Sequence, residues 1–355
     1  MKYIQMPGDR QLDGLERLCE VDRRRGPLGK GSFGQVWRAR LKGTGEVVAV
    51  KALDKQLMAL KQIPPSQLEA EVTLMQECNG MRRIVQLHNF FETAGMSFLI
   101  LEYCDGGSLA DVAHDLNEAH SVRFIRHLLE GLAFLHARSI CHRDVKPQNA
   151  MIVGPAASDN ALLKLGDFGL AARLPPGRLL QDRLGSPAFM APEMHLLPNA
   201  SIGYDHRVDT WAVGCVIVFL LAHQYAFVSE SGRLKGQELL NGQVPIWDTG
   251  AFGSLFRPLR AATGMPVRPP RVARDLVRKL LVPRFAWRLS ARAALSHAWF
   301  VGGPLPADRG VGDEMPLLQW DDFEKGIAEL EKGFADFENQ VQSVVGSVAR
   351  RLGLV

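Results

Sequence analysis

The spacing of hydrophobic and polar positions changes several times along the chain, and each change marks an element. From Gln35 the run QVWRARL alternates apolar and polar residues, and EVVAVKAL follows the polar turn Lys42-Gly43-Thr44-Gly45-Glu46. These segments predict two β-strands joined as a hairpin. The period then lengthens: in SQLEAEVTLMQEC, Leu68, Val72 and Met75 form the buried stripe of a helix. Ser66 stands as its N-cap, with Glu69 three residues on, the pattern of a capping box. LLKLGDFGLAA opens on a strand-like run, and VDTWAVGCVIVFLLA predicts a buried helix opening at Asp209. Beyond Gly303, apolar residues recur in steps of three and four from Trp320 to Val348, predicting an amphipathic helix.

Composition narrows the class. A chain of 355 residues with 46% apolar content is globular with ample core. No apolar run reaches about 18 residues, so no transmembrane span and no membrane partner are expected. The start of the chain lacks a signal-peptide pattern. Five cysteines without close pairs predict reduced thiols, hence cytoplasm or nucleus. Net charge is +4 and the longest basic run is Arg23-Arg24-Arg25, which gives nucleic-acid binding no support.

The chemistry centres on HRDVKPQN, from His142 to Asn149. In phosphoryl transfer Asp144 can orient a hydroxyl and accept its proton, Lys146 can neutralise charge on the moving group, and Asn149 can offer an oxygen to magnesium. Upstream, GKGSFGQV places Gly29, Gly31 and Gly34 where backbone N–H groups can approach phosphates. Strands flank this turn and no helix follows, so a glycine-rich hairpin is favoured over a dinucleotide fingerprint. Lys51 closes the second strand, suited to phosphates and to a helical glutamate, for which Glu71 beside the apolar stripe is the choice. Asp167, in Asp167-Phe168-Gly169, can ligate magnesium.

With Ala191-Pro192-Glu193 further on, these pieces occur in the order of a eukaryotic-type serine/threonine protein kinase, and the chain resembles that family from about residue 25 to 301. GSPAFMAPEM is loosely similar to calmodulin-dependent kinases, without an EF-hand calcium loop. The resemblance implies an α+β, two-lobed fold: a small lobe over 25–101 with a five-stranded sheet and one main helix, a hinge over 102–105, and a larger, mainly helical lobe over 106–301. Residues 1–24 would be an arm and 302–355 a tail. ATP and magnesium are the implied cofactors and proteins bearing Ser or Thr the implied substrates. Leu28, Gly29, Lys30, Gly31, Gly34, Val36, Ala49, Lys51 and Glu71 would line the nucleotide site, with Leu101 gating the adenine pocket and Glu102 and Cys104 on the hinge. Asn149 and Asp167 would take the metal, and Asp144, Lys146, Asn149 and Lys51 the catalysis.

By the same resemblance Met75, Leu87, His142 and Phe168 would form an apolar stack anchored by Asp209, and Glu193 would pair with Arg288. Lys146 and Ser186 imply Ser/Thr rather than Tyr acceptors. Arg143 would ordinarily receive an activation-loop phosphate, yet Asp182 stands at that place and residues 170–185 contain no Ser, Thr or Tyr. Activity without loop phosphorylation is expected. Gln148, Ser108 and Phe219 fall where readers of substrate arginine are often acidic, so arginine-directed selection is disfavoured unless Asp105, Asp111 or Asp115 substitute. Val282-Pro283, in place of Asp-Pro, would loosen a helix cap. The 320–348 helix can pack on the large lobe, self-associate or dock as an autoinhibitor, although Gly326, Gly333 and Gly346 each weaken it by about 1 kcal/mol. A pseudokinase-like scaffold is the alternative; retention of Lys51, Glu71, Asp144, Asn149 and Asp167 speaks against it.

Overall fold

The computed structural model describes residues 13–31, 33–229, 231–244 and 269–302. The helix expected over 320–348 lies outside them. The chain divides into two units, Met1–Gly107 with Met151–Ala171, and Ser108–Ala150 with Ala172–Val355. The expected lobes were contiguous in sequence; the segment bearing Asp167 instead groups with the small unit. The reason is local: Leu165 accepts from the Val85 amide at 3.0 Å and donates to Arg83 at 2.8 Å.

The small unit is built on strands β1 (Cys19–Val21), β2 (Gly29–Lys30), β3 (Gly34–Leu41), β4 (Val47–Asp54), β5 (Leu87–Glu92) and β6 (Met96–Glu102). Their order is β1-β3-β4-β6-β5, with β2 also on β3. The predicted hairpin is β3–β4, with Val36 opposite Lys51 and Ala39 opposite Val48. Its inward residues Ala39, Val48, Val50 and Ala52 meet Phe98 and Ile100 in one apolar cluster. Six strands replace the expected five because β1 and β2 are two stretches of one edge, interrupted at Arg23–Arg25. The Asp22 amide on Arg38 O and the Leu28 amide on Val36 O continue the ladder on either side of the interruption. Residues 13–24 are therefore no separate arm: helix α1 (Asp13–Leu18) and β1 send Leu15 and Cys19 into the core, each 1% exposed.

Helix α2 (Lys55–Leu60) is capped by Asp54, which accepts from the amides of Gln56 and Leu57. Helix α3 (Pro65–Glu77) buries Leu68, Val72 and Met75 as predicted, and Glu71 with them. The expected capping box is absent. Pro64 is the N-cap, and Pro65 at the first helical position brings a preset φ and no N–H to satisfy, which leaves Ser66 inside the helix.

The large unit carries α4 (Leu109–Val112), α5 (Glu118–His136), α6 (Pro192–His195), α7 (Arg207–Ala222), α8 (Gly236–Asn241) and α9 (Arg271–Leu280). Helix α7 starts two residues before Asp209 and buries nearly its whole length, as its unbroken apolar run requires. It packs against both α5 and α9. All five cysteines are free and buried. No helix among the described residues is long and apolar enough to cross a membrane.

Candidate active site

In the small unit, Lys51 Nζ lies 2.6 Å from Glu71 Oε1 and 2.9 Å from Asp167 Oδ1. The sheet presents the lysine and α3 presents the glutamate, so the pair ties helix to sheet. Burial works to lower the Lys51 pKa, but Glu71 and Asp167 more than offset it and hold the ammonium above its ordinary value. Asp167 has a left-handed backbone, φ 59°, the kind of strain that persists where surroundings fix it. Next to it, Gly169 accepts a hydrogen bond from Gln67 of α3 at 2.9 Å.

The three glycines of the hairpin differ. A Cβ on Gly34 would fall 1.8 Å from Ala52 O, so the β3–β4 pairing itself demands glycine there. Gly29 has nothing within 4 Å of that point and Gly31 only a carbonyl at 3.9 Å. A side chain would find room at either position, and the Gly31 amide donates to Gly34 O at 2.9 Å, closing the turn. Val36 is half-buried and Ala49 buried. Leu101 is half-buried, just past the buried run Met96–Ile100 of β6, and Lys164 binds the Glu102 carboxylate at 2.6 Å. The Glu102 amide is taken by Gln86 O at 2.9 Å, so its carbonyl is the group it retains for a ligand. The Cys104 thiol is pushed up to about 12, by burial and then by Glu102, and is no nucleophile.

In the large unit the catalytic loop closes into a hydrogen-bonded triangle. Ser186 Oγ donates to Asp144 Oδ1 at 2.8 Å, and Lys146 Nζ donates to Asp144 Oδ2 at 2.7 Å and to Ser186 Oγ at 2.8 Å. Asn149 Nδ2 donates to the Asp144 carbonyl and carboxylate at 2.9 and 3.0 Å, which turns the amide oxygen outward as a ligand atom. The loop backbone hangs on Asp209, whose carboxylate accepts from the amides of His142 at 2.9 Å and Arg143 at 2.8 Å. His136 Nε2 is 2.9 Å from the same carboxylate. Arg143, like Asp167, is left-handed, φ 66°. Of the predicted stack, Met75, Leu87 and Phe168 are buried in the small unit and His142 in the large one.

Against these geometries, the protein kinase domain family matches residues 23–300. This chain belongs to the protein kinase family. A Dictyostelium discoideum protein named as serine/threonine-protein kinase fhkD is 29% identical over 92% of this chain and 42% of its own length. Human myosin light chain kinase family member 4 is 30% identical, over 77% of this chain and 64% of its own. The liver/testis gamma catalytic chain of human phosphorylase b kinase is 29% identical over the same shares. The kinase chain thus spans less than two thirds of each of these relatives.

Several surrounding residues have other duties than those expected. Ser108 caps α4 in a reciprocal box with Asp111, and Asp105 accepts from the Gly154 amide at 2.7 Å, so neither aspartate is an idle arginine reader. Val282 and Pro283 sit at no helix cap. Their carbonyls accept from Arg288, at 2.9 and 3.2 Å. Little in the kinase sequence marks Tyr204. Its hydroxyl donates to Asp182 O at 2.8 Å and accepts from Arg143 at 3.4 Å; its one signal was a polar aromatic ahead of a buried helix.

Proposed function

We propose that the chain is an active serine/threonine protein kinase that moves the γ-phosphoryl group of ATP to Ser or Thr hydroxyls of proteins, with Asp144 as the base. The observation that carries this reading is the Asp144–Lys146–Ser186 triangle. It holds a carboxylate, the acceptor of the hydroxyl proton, beside an ammonium that can meet the charge of the transferring group. Lys51, held by Glu71, and the glycine-rich turn between β2 and β3 are suited to triphosphate oxygens. Asp167 in the small unit carries a carboxylate and Asn149 in the large unit an amide oxygen, donor types that would suit magnesium, and magnesium when bound supplies charge neutralisation. Few protein ligands suit this ion, which draws on phosphate and water for the remainder. No scaffold-only reading is needed, because each of these groups is present.

The activation segment supports activity without prior phosphorylation. Arg143 Nη1 meets Asp182 Oδ2 at 2.9 Å, the contact a phosphate would otherwise make with more charge and more acceptor oxygens. Five free, buried thiols favour a reducing compartment, cytoplasm or nucleus.

The decisive test compares wild type with Asp144→Asn on a generic protein acceptor with ATP and magnesium, using protein treated with phosphatase. Transfer should fall about 10²–10⁴-fold in the variant, and mass spectrometry should place phosphate on Ser and Thr. Equal transfer by both proteins would remove Asp144 from the mechanism, and mainly phosphotyrosine would overturn the substrate class.

A further inference from the structure

The activation segment is pinned at two points. On one side, Leu180 and Tyr204 exchange backbone hydrogen bonds at 2.9 and 3.0 Å. Gln181 Nε2 donates to Ile202 O at 2.8 Å, and Asp182 is held through its carbonyl by Tyr204 and through its carboxylate by Arg143. On the other side, Ser186 is bonded to both Asp144 and Lys146. Gly185 between them has φ +130°, and a Cβ there would meet Arg143 O at 2.8 Å, so the segment lies directly on the catalytic loop.

One charged side chain projects from this fixed span without an assignment. Arg183 is exposed, and among the described residues it has no hydrogen-bond or ion-pair partner. Its neighbour Asp182 does not neutralise it, because that carboxylate is taken by Arg143. Three residues of extended chain span at most about 11 Å, so the guanidinium works within a few residues' reach of the hydroxyl that Asp144 orients. Its charge is felt at His195, whose Nε2 bonds Pro187 O in the same turn. The places where acidic readers would sit carry Gln148, Ser108 and Phe219.

We infer that Arg183 selects substrates, pairing with an Asp or Glu carboxylate close to the accepting Ser or Thr. The inference rests on the proposed kinase activity and names its substrate class. The backbone that carries the arginine is held in advance, so only its side chain must be ordered on pairing, and an anionic side chain gains where a basic one is repelled.

The test uses the full chain and peptides with one Ser in an alanine background, carrying Glu or Lys in turn at each of the three positions on either side. Wild type should favour Glu over Lys at one or more positions by about fivefold in kcat/KM, the size of an exposed ion pair. Arg183→Glu should reverse that preference, and the difference should shrink at high salt. Arg178→Glu, an exposed control in the turn that begins at Pro175, should keep it. Transfer to all peptides with no acidic preference, or a preference unmoved by Arg183→Glu, overturns the inference and leaves the kinase reading standing. Absence of transfer to any peptide and to the generic acceptor alike overturns both.

Discussion

Two arginine–carboxylate pairs of the large unit use the same chemistry to opposite ends. Arg288 faces Glu193 with two parallel bonds, at 2.7 and 2.9 Å, and its side chain is fully buried. Its remaining donors reach Val282 O, Pro283 O and Arg207 O, so all five guanidinium N–H groups are satisfied. Arg143 instead makes a single bond to the Asp182 carboxylate, whose side chain is 63% exposed. The first pair closes a buried network that fastens α6 to the start of α7 and the turn after α9. The second keeps one partner in water, where it can be exchanged for a phosphate or lost without collapse. Burial, more than pairing, decides whether such a contact serves the fold or its control.

The largest effect should come from Arg288→Ala. It strands Glu193 in the core, a loss of about 3–5 kcal/mol of stability. That approaches the whole stability of many domains, so low soluble yield and loss of a cooperative melt are expected. A folded variant with wild-type melting temperature would break the comparison at its buried end.

His195, two residues from Glu193 on α6, sharpens that end by pH. Burial, then the Arg183 charge, lowers its pKa to about 4 against the opposing bond to Pro187 O. The unfolded chain, with a histidine near 6.5, then binds more protons than the native one between these values. Stability from this group is therefore complete above about pH 6.5 and is lost as pH falls towards about 4, on the order of 3 kcal/mol in all. Urea melts of wild type and His195→Gln across this range should show the variant's slope flattened. Parallel slopes would mean that His195 is not buried as neutral imidazole.

These two ends differ equally in how far the sequence announces them. Lys51–Glu71 and the Asp144 loop follow from residue types at fixed spacing, the β3–β4 hairpin and α7 follow from period alone, and Glu193–Arg288 is legible only through the family resemblance. The edge strand broken at Arg23–Arg25 was hidden, because DRRRGP reads as loop while its neighbours Leu15 and Cys19 depend on distant β3 and β6 partners for burial. Ser66 misled because local capping chemistry was outranked by Pro65. Tyr204 was hidden for a different reason: its bonds run to residues 22 and 61 positions away, and no local pattern encodes them.

At the exposed end, Asp182→Asn keeps the shape and removes the charge. Stability should change by less than about 1 kcal/mol, while phosphoryl transfer by phosphatase-treated protein should drop about fivefold at low salt, with the gap narrowing as screening sets in. Unchanged activity at every ionic strength would make Asp182 a merely solvated residue. A stability loss matching that of Arg288→Ala would erase the contrast between the pairs.

The smallest effect tests whether the exposed pair acts alone. Tyr204→Phe deletes only the hydroxyl between Asp182 O and Arg143, and burial pushes the Tyr204 pKa up to about 12, so it is the neutral phenol that is lost. One neutral hydrogen bond contributes about 1 kcal/mol, so transfer should fall at most about fivefold. Because phenol and carboxylate hold the same stretch of chain, their losses should overlap: Asp182→Asn with Tyr204→Phe should cost less than the two combined. Trypsin provides a second readout, since Arg178 and Arg183 flank the clamp and cleavage after them should quicken in each variant. Additive losses with unchanged cleavage would show that Tyr204 packs beside the pair without positioning it.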